Sequence, residues 1–430
     1  MLMYQRLQSL CVACHLTTMM HDRISYQVIV TFHCCHNGYT RLCADGTATY
    51  SEVGDMVQWG TVVYATQPYR SNLTQQIGDM AALRADFATN GSVSGPWDWA
   101  PGSVIAFSHD LGDVNGPDSP SNVTFTIGYV RDEAINYLGN SRANYWRGAG
   151  CDDINCAAVH VLLDYESADA EARVLDATIA AKANAAAGSK YADILALSTR
   201  QAFGSMDVTI PHNSLDTSDV MVFMKEISST DDGAGSSPNQ TNLAIKAAIA
   251  LNAYGLMTGQ SNYSDTGKRF ATELYNNTLG TDPNRTHFTI LEGEAQTWAL
   301  AFNLFPDVLL GLNTFPTAAY AMQTAFYSTI RSLGGVALDS REDWGKTDWM
   351  LWAAATAMAP GVGNNSCRDM FIDDVWNFAS NGMNEVPFGD KFFVETNGTD
   401  VEGMWDMYEA RPVVGGHFAL LAMQGHGILT

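Results

Sequence analysis

Asn239-Gln240-Thr241-Asn242-Leu243-Ala244-Ile245-Lys246-Ala247-Ala248-Ile249-Ala250-Leu251-Asn252-Ala253-Tyr254-Gly255 begins a run that ends at Gly280. Leu243, Ala247, Ile249-Ala250-Leu251 and Tyr254 recur at helical spacing, and the glycines from Gly255 to Gly259 are expected to stop that helix. Ser264-Asp265 then supplies a polar start for a second helix, with Phe270, Ala271 and Leu274 on one face and Gly280 as its stop. Two helices with a short connection make an αα-hairpin. Outward from this unit, further helices are expected over Ala157–Ala187, Tyr191–Phe203, Gln296–Leu312, Thr317–Ser332, Thr347–Met358, Arg368–Asn381 and Gly415–Met423. Repeated hairpins of this kind close into an α/α toroid whose connecting loops form a mouth at one end. No strict repeat is present, which argues against a solenoid of identical units.

The other half of the chain has a β texture. Val123, Phe125, Ile127 and Tyr129 alternate with Thr124, Thr126, Gly128 and Val130, the period-two pattern of a half-buried strand. Tyr26–Phe32, Gln58–Thr66 and Ser103–Ser108 are further strand candidates, separated by turn signals such as Ser94-Gly95-Pro96 and Asn115-Gly116-Pro117. The fold class expected is therefore multidomain α+β: an antiparallel β-sandwich over residues 46–188, then a helical-hairpin domain over residues 189–430. Residues 1–45 form an atypical leader, and Asp231–Pro238 is the most linker-like stretch.

The chain has 430 residues and a formal net charge of -23. Such an acidic protein is a poor partner for nucleic acid or an anionic membrane, because phosphate contacts need clustered cations. Asn72, Asn90, Asn122, Asn239, Asn262, Asn276, Asn284, Asn364 and Asn397 each open an Asn-x-Ser/Thr triplet. Roughly four would arise by chance, so N-glycans and an extracellular location are expected. Met1–Leu10 lacks the apolar core of a signal peptide, so the expectation is that the native start lies outside this chain. Cys151 and Cys156 are spaced to close a small disulfide loop, leaving Cys367 single. Cys11-Val12-Ala13-Cys14-His15 and His33-Cys34-Cys35-His36 have irregular spacing for zinc or haem, and no metal is assigned to them.

No phosphate-binding glycine loop, dinucleotide fingerprint, His-Glu-x-x-His or Gly-x-Ser-x-Gly pattern is present, so no cofactor is expected. Carboxylates are left to do the chemistry, and they gather in Leu338–Trp352. Asp339, Arg341, Glu342, Asp343, Trp344 and Lys346 form a charged loop, and Thr347-Asp348 starts a helix carrying Trp349 and Trp352. The alternative is a helix cap beside a surface ion-pair cluster. Arg411-Pro412-Val413-Val414-Gly415-Gly416-His417 is a second candidate, in which a neutral His417 would hydrogen-bond a substrate or orient an acid. Glu292 and Glu294 have a weaker claim, Asp307 reads as a cap or internal hydrogen-bond partner, and Arg200 is expected to pair with a buried acid.

Several of these stretches resemble the fungal glutaminase A family: Gly128–Asp132, Leu197–Phe203, Asn239–Ala247, Phe302–Gly311, Leu338–Trp352 and Arg411–Leu420. The resemblance runs in order from about Trp59 to Gln424. It implies a secreted, glycosylated protein with an N-terminal β-sandwich and a C-terminal six-hairpin helical domain, hydrolysing L-glutamine to L-glutamate and ammonia. By analogy with α/α-toroid glycosidases, one carboxylate would activate water and a second acid would protonate the leaving group. Asp348 or Asp343 would fill these roles, with Lys346 as charge stabiliser. Arg341 or Arg411 would hold the α-carboxylate of glutamine, and Trp344 and Trp349 would wall the pocket. The rival readings are a glycoside hydrolase of the same toroid class and a non-catalytic secreted family member.

Two departures from the family stand out. Residues 1 to about 45 do not resemble it. In addition, Val222–Ser229 is followed at once by Thr230–Gly235, whereas the family separates these motifs by a segment bearing His-Asp-x-Gly and Glu-Glu-x-Gly-Asn motifs. An internal deletion near residues 228–230 is therefore expected, removing hairpins and part of the acid set, with low stability and little activity as consequences.

Overall fold

The computed structural model describes residues 14–17, 28–34, 50, 52–53, 56–57, 59–66, 72–96, 103–111, 123–224 and 238–427. The junction at 228–230, most of the linker-like stretch and most of the cysteine-rich leader lie outside these residues. The chain divides into two compact units, one comprising Met1–Glu171 with Asp207–Phe223, the other Ala172–Met206 with Met224–Thr430. Antiparallel sheets occupy the first and helices dominate the second, giving the α+β class anticipated from the sequence.

In the first unit, β1 (Cys14–Thr17), β2 (Val28–Cys34), β3 (Thr61–Thr66) and β6 (Phe125–Val130) form one antiparallel sheet in that order. β4 (Asn72–Gly78) and β5 (Val104–Asp110) pair across helix α1 (Met80–Asn90), which Asp79 caps by accepting from the amides of Ala81 and Ala82. A second four-stranded sheet runs β10 (Met221–Met224), β9 (Met206–Pro211), β8 (Asn140–Asn144), β7 (Glu133–Tyr137). The sequence reading missed this sheet. Its β7–β8 turn is made by Leu138 and Gly139, both at positive φ, a hairpin geometry that glycine favours. Because β9 pairs with β8, residues 207–223 return to this unit after a long helical excursion, so the two compact units interleave along the sequence.

Helix α2 (Ile154–Leu163) starts at Asp153, whose side chain accepts from the Cys156 amide, and Cys156 is disulfide-bonded to Cys151. Ala158 and Leu162 of α2 pack on Val63 and Ala65, with Val130 and Ile154 at the edge. That helix selects which face of β6 is covered. Phe125, Ile127 and Tyr129, expected on the half-buried face, are instead 43%, 54% and 47% exposed.

The second unit holds the larger core. α3 (Tyr165–Gly204) bends where Ala187 and Gly188 leave helical geometry, Gly188 at φ +82°, so the expected break after Ala187 is present as a kink. α4 (Thr241–Thr258) and α5 (Ser261–Tyr275) form the hairpin. Gly255 does not stop α4; it lies where the backbone amide of Ser264 crosses, and the helix ends at Gly259 in the left-handed region. Ser264 is likewise not a cap but a buried tie, its hydroxyl donating to Asn252 Oδ1 at 2.6 Å.

The helix expected over Gln296–Leu312 shrinks to a 3-10 turn (Phe302–Leu304) and α6 (Phe305–Leu309). Residues before it are extended because the amide of Leu300 donates to the Leu338 carbonyl at 2.8 Å and that of Ala299 to Phe288. A short apolar run does not distinguish strand from helix by itself. Asp307 is an internal partner as read, accepting from the amides of Thr314 and Phe315 and from the Tyr320 hydroxyl. Arg200, by contrast, pairs with Asp176, and both are exposed rather than buried. α7 (Thr317–Ile330), α8 (Thr347–Thr356), α9 (Asn365–Ser380) and α10 (Ala419–Gly425) complete the ten α-helices among the described residues. A three-stranded sheet, β11 (Trp344–Lys346), β12 (Gly389–Phe393) and β13 (Trp405–Glu409), lies among them. No helix among the described residues is long and apolar enough to cross a membrane.

Candidate active site

The charged loop is tied down by its own residues before it reaches α8. Asp339, 2% exposed, accepts from the Arg341 backbone amide at 2.9 Å and from Nε and Nη2 of the Arg341 guanidinium at 3.0 and 2.7 Å. The Trp344 indole donates to Glu342 Oε2 at 2.6 Å, and the Lys391 ammonium sits 4.0 Å from the Trp344 ring centroid. Asp343 Oδ2 accepts from the amide of Asn397 at 3.0 Å. Arg341, Asp343 and Trp344 are therefore engaged with neighbours of the loop. Among the described residues no hydrogen bond joins Asp343 to Asp348.

The next residues lead inward. β11 pairs with β12 so that Lys346 stands opposite Lys391, which brings the neighbouring Asp390 against Lys346. Lys346 Nζ lies 3.4 Å from Asp390 Oδ2 and 3.8 Å from Asp348 Oδ1, and 4.1 Å from the Trp349 ring centroid. Arg411 grips Asp390 with two hydrogen bonds, Nε to Oδ1 at 3.0 Å and Nη2 to Oδ2 at 2.6 Å. The side chains of Lys346, Asp348, Asp390 and Arg411 are 3%, 4%, 0% and 11% exposed. Two acids and two cations thus share one dry site, where each charge depends on its neighbours.

Asp348 is the uneven member. Its Oδ1 is buried and has no hydrogen-bond partner. Burial pushes its carboxyl up to about 7; the Asp390 charge adds to the rise, while Lys346 and Arg411 oppose it. A side chain on Gly416 would meet Asp348 Cβ and Trp352 Nε1 at 3.0 Å, so the absence of one there lets the chain close over this acid.

His417 lies alongside rather than in the cluster. Its Nδ1 is 2.6 Å from Ser198 Oγ and its Nε2 2.9 Å from Thr347 Oγ1, so two hydroxyls take both ring nitrogens. Full burial holds its pKa down to about 3. The ring clamps the 3-10 segment Pro412–Phe418 to α3 and to the start of α8, which differs from the substrate contact expected of it. Changing Ser198 to Ala strands one ring nitrogen and is expected to lower unfolding stability by about 1–3 kcal/mol, read from urea denaturation.

Trp349 stacks on Phe302 with ring centroids 4.2 Å apart and planes at 1°. Phe302 also lines a small cleft together with Gln240, Asn242, Leu300 and Asp339. One aromatic pair therefore connects this cleft to the ionic cluster. Of the residues singled out in the sequence, Lys346, Asp348, Trp349 and Arg411 come together. Arg411 meets an acid of its own chain instead of facing the cleft. Asp390 was missed, since Phe388-Gly389-Asp390-Lys391 reads as an ordinary strand entry, and so was the pairing of Asp339 with Arg341. Among the described residues no group of three or more His, Cys, Asp or Glu side chains is placed to hold a metal ion.

The chain is similar to two named proteins. It is 26% identical to Glutaminase A of Aspergillus oryzae over 514 aligned residues, covering 87% of this chain and 71% of that protein. It is 28% identical over 246 residues to a protein of Arthroderma benhamiae named Probable glutaminase, covering 50% of this chain and 26% of that one. Residues 22–182 match a domain of unknown function designated DUF5127. Residues 188–230 and 228–421 match, in two pieces, the glutaminase A six helical-hairpin domain. As those two pieces span more than half of its residues, the chain belongs to the glutaminase A six-hairpin family.

Proposed function

We propose that this chain is a secreted glutaminase-type amidohydrolase acting on L-glutamine, with Asp348 as its proton-transfer group. The observation carrying this reading is the buried, unpartnered Oδ1 of Asp348, held 3.8 Å from the Lys346 ammonium. A carboxyl that titrates near neutrality is suited both to take a proton and to return it. In the proposed step water adds to the side-chain carboxamide carbon, giving its proton to Asp348. Lys346 stabilises the oxyanion, and the carbon–nitrogen bond breaks as Asp348 hands the proton to the departing nitrogen. Glutamate and ammonia result, with no cofactor consumed. Asp390 and Arg411 hold Lys346 in place. Because Asp348 is only 3% exposed, substrate entry requires movement of Trp349 or of the Pro412–Phe418 segment.

The test is ammonia release by the purified chain from L-glutamine, with L-asparagine and a glycan panel as comparisons. Ammonia from glutamine is the expected product; sugar release would instead favour the toroid glycosidase reading. A second reading, that this copy is non-catalytic, is favoured by the family match breaking into two pieces at 228–230. A folded chain that releases neither product would support it.

Secretion has its own support. Asn90, Asn239, Asn262, Asn276, Asn284 and Asn397 are all exposed and open to a glycan. Expressed through a eukaryotic secretory route, the chain is expected to migrate above its 46.6 kDa and to return to it after enzymatic removal of N-glycans. Migration unchanged by that treatment would count against secretion.

A further inference from the structure

Helix α4 follows closely on the junction at 228–230 and is apolar on two opposite sides. Ile245, Ala248, Ile249 and Asn252 are buried on one side. On the other, Leu243, Ala247, Ala250, Tyr254 and Met257 recur at alternating spacings of four and three, which places them in one stripe along the helix. All five are exposed: Leu243 38%, Tyr254 43% and Met257 79%, with both alanines open as well. A helix apolar on opposite sides belongs between two neighbours; the described residues bury one side, while on the other Tyr254 meets Tyr263 of α5 edge-on and the stripe stays exposed.

Two observations identify what belongs on the other side. The six-hairpin family model matches in two pieces that meet at 228–230 instead of one continuous run. The alignment with Glutaminase A of Aspergillus oryzae extends over 514 residues yet covers only 87% of this 430-residue chain, so well over a hundred positions of that relative fall opposite gaps. That length is enough for several helices with their loops. Elements consecutive in sequence usually pack side by side, and a segment entering at 228–230 would run directly into α4. The stripe is uncovered on the helix that such a segment would precede.

We propose that the Leu243–Met257 stripe of α4 is the seat for a helical segment that the Aspergillus oryzae relative carries and this chain lacks, so that among the described residues the seat stands uncovered. This inference rests on family membership and on the packing of α4, not on the amidohydrolase reading, and its test reads no activity.

Ala250→Cys and Met257→Cys variants are made singly in two backgrounds: the chain itself, and the chain with the relative's intervening segment inserted at 228–230. Alkylation of each introduced thiol is followed by peptide mass spectrometry, which separates it from the native cysteines. Lys268→Cys, on the exposed side of α5, serves as an open reference. Expected is rapid alkylation at 250 and 257 in the chain itself and at least tenfold slowing at both in the extended chain, with the reference unchanged. Rapid alkylation in both backgrounds, or an extended chain that fails to fold, overturns the proposal. Slow alkylation in the chain itself that quickens on dilution names a second copy as the occupant and overturns it too. A further measurement needs only the chain as it is. Leu243→Glu combined with Met257→Glu is expected to leave the thermal midpoint within a few degrees, whereas a collapse like that of a core substitution would show the stripe to be already covered.

Discussion

Asp348→Asn is expected to reduce ammonia release from glutamine at least a hundredfold while making the folded chain more stable at pH 8. Both effects have one cause. The folded carboxyl titrates near 7, against the ordinary 3.8. Between those values the folded chain keeps a proton that the unfolded chain has released, so stability falls as pH rises through the window. The full shift corresponds to on the order of 4 kcal/mol. An amide of the same shape carries no such charge, and Lys346 keeps Asp390 as a partner at 3.4 Å.

His417 acts in the opposite sense and makes the test sharper. Its imidazole stays neutral down to about 3, against 6.5 for the ordinary group. Between those values the unfolded chain binds a proton that the folded chain refuses, so stability rises with pH. From about pH 4 to 6.5 the two slopes oppose each other in the wild type. The Asn variant should fall less steeply than wild type, because only Asp374, whose buried carboxyl is raised to about 6, still opposes His417. Urea titrations of both proteins at several pH values between 4 and 8 would show this. Parallel stability profiles would remove Asp348 as a strained buried acid, and wild-type turnover would remove it as the proton-transfer group.

Asp390→Ala is expected to destabilise the chain by about 3–5 kcal/mol, enough to threaten folding in a marginally stable domain. Asp390 is fully buried, accepts two hydrogen bonds from Arg411 and lies against Lys346. Without it two cations share the dry site with Asp348 alone, and burying an uncompensated charge is far more unfavourable than losing an exposed ion pair. Asp390→Asn keeps the shape and some hydrogen bonding, so a smaller loss is expected. Loss of the Asp390 charge should also lower the Asp348 pKa, because that charge helps to raise it. A thermal midpoint for Asp390→Ala within two degrees of wild type would mean that water reaches these cations.

The helical hairpin was legible because helical periodicity is local: Leu243 through Leu274 carry it whatever surrounds them. The start of α8 at Thr347 was legible for the same reason, and five residues of separation sufficed for the Cys151–Cys156 pair. Other features depended on distant partners. Residues 296–301 looked helical, but the amides of Ala299 and Leu300 found Phe288 and Leu338. Gly255 looked like a stop and proved to be the place where Ser264 crosses.

The candidate site divides along the same line. Leu338–Trp352 by itself determined which acids and cations were available and that Asp348 would begin a helix. Only tertiary structure decided which of them meet. The β11–β12 register carries Asp390 to Lys346, Arg411 arrives from the far end of the chain, and the resulting burial separates Asp348 from its exposed neighbours. Charge type is a property of a residue, but desolvation and ion pairing belong to its surroundings, and those are assembled from segments far apart in sequence.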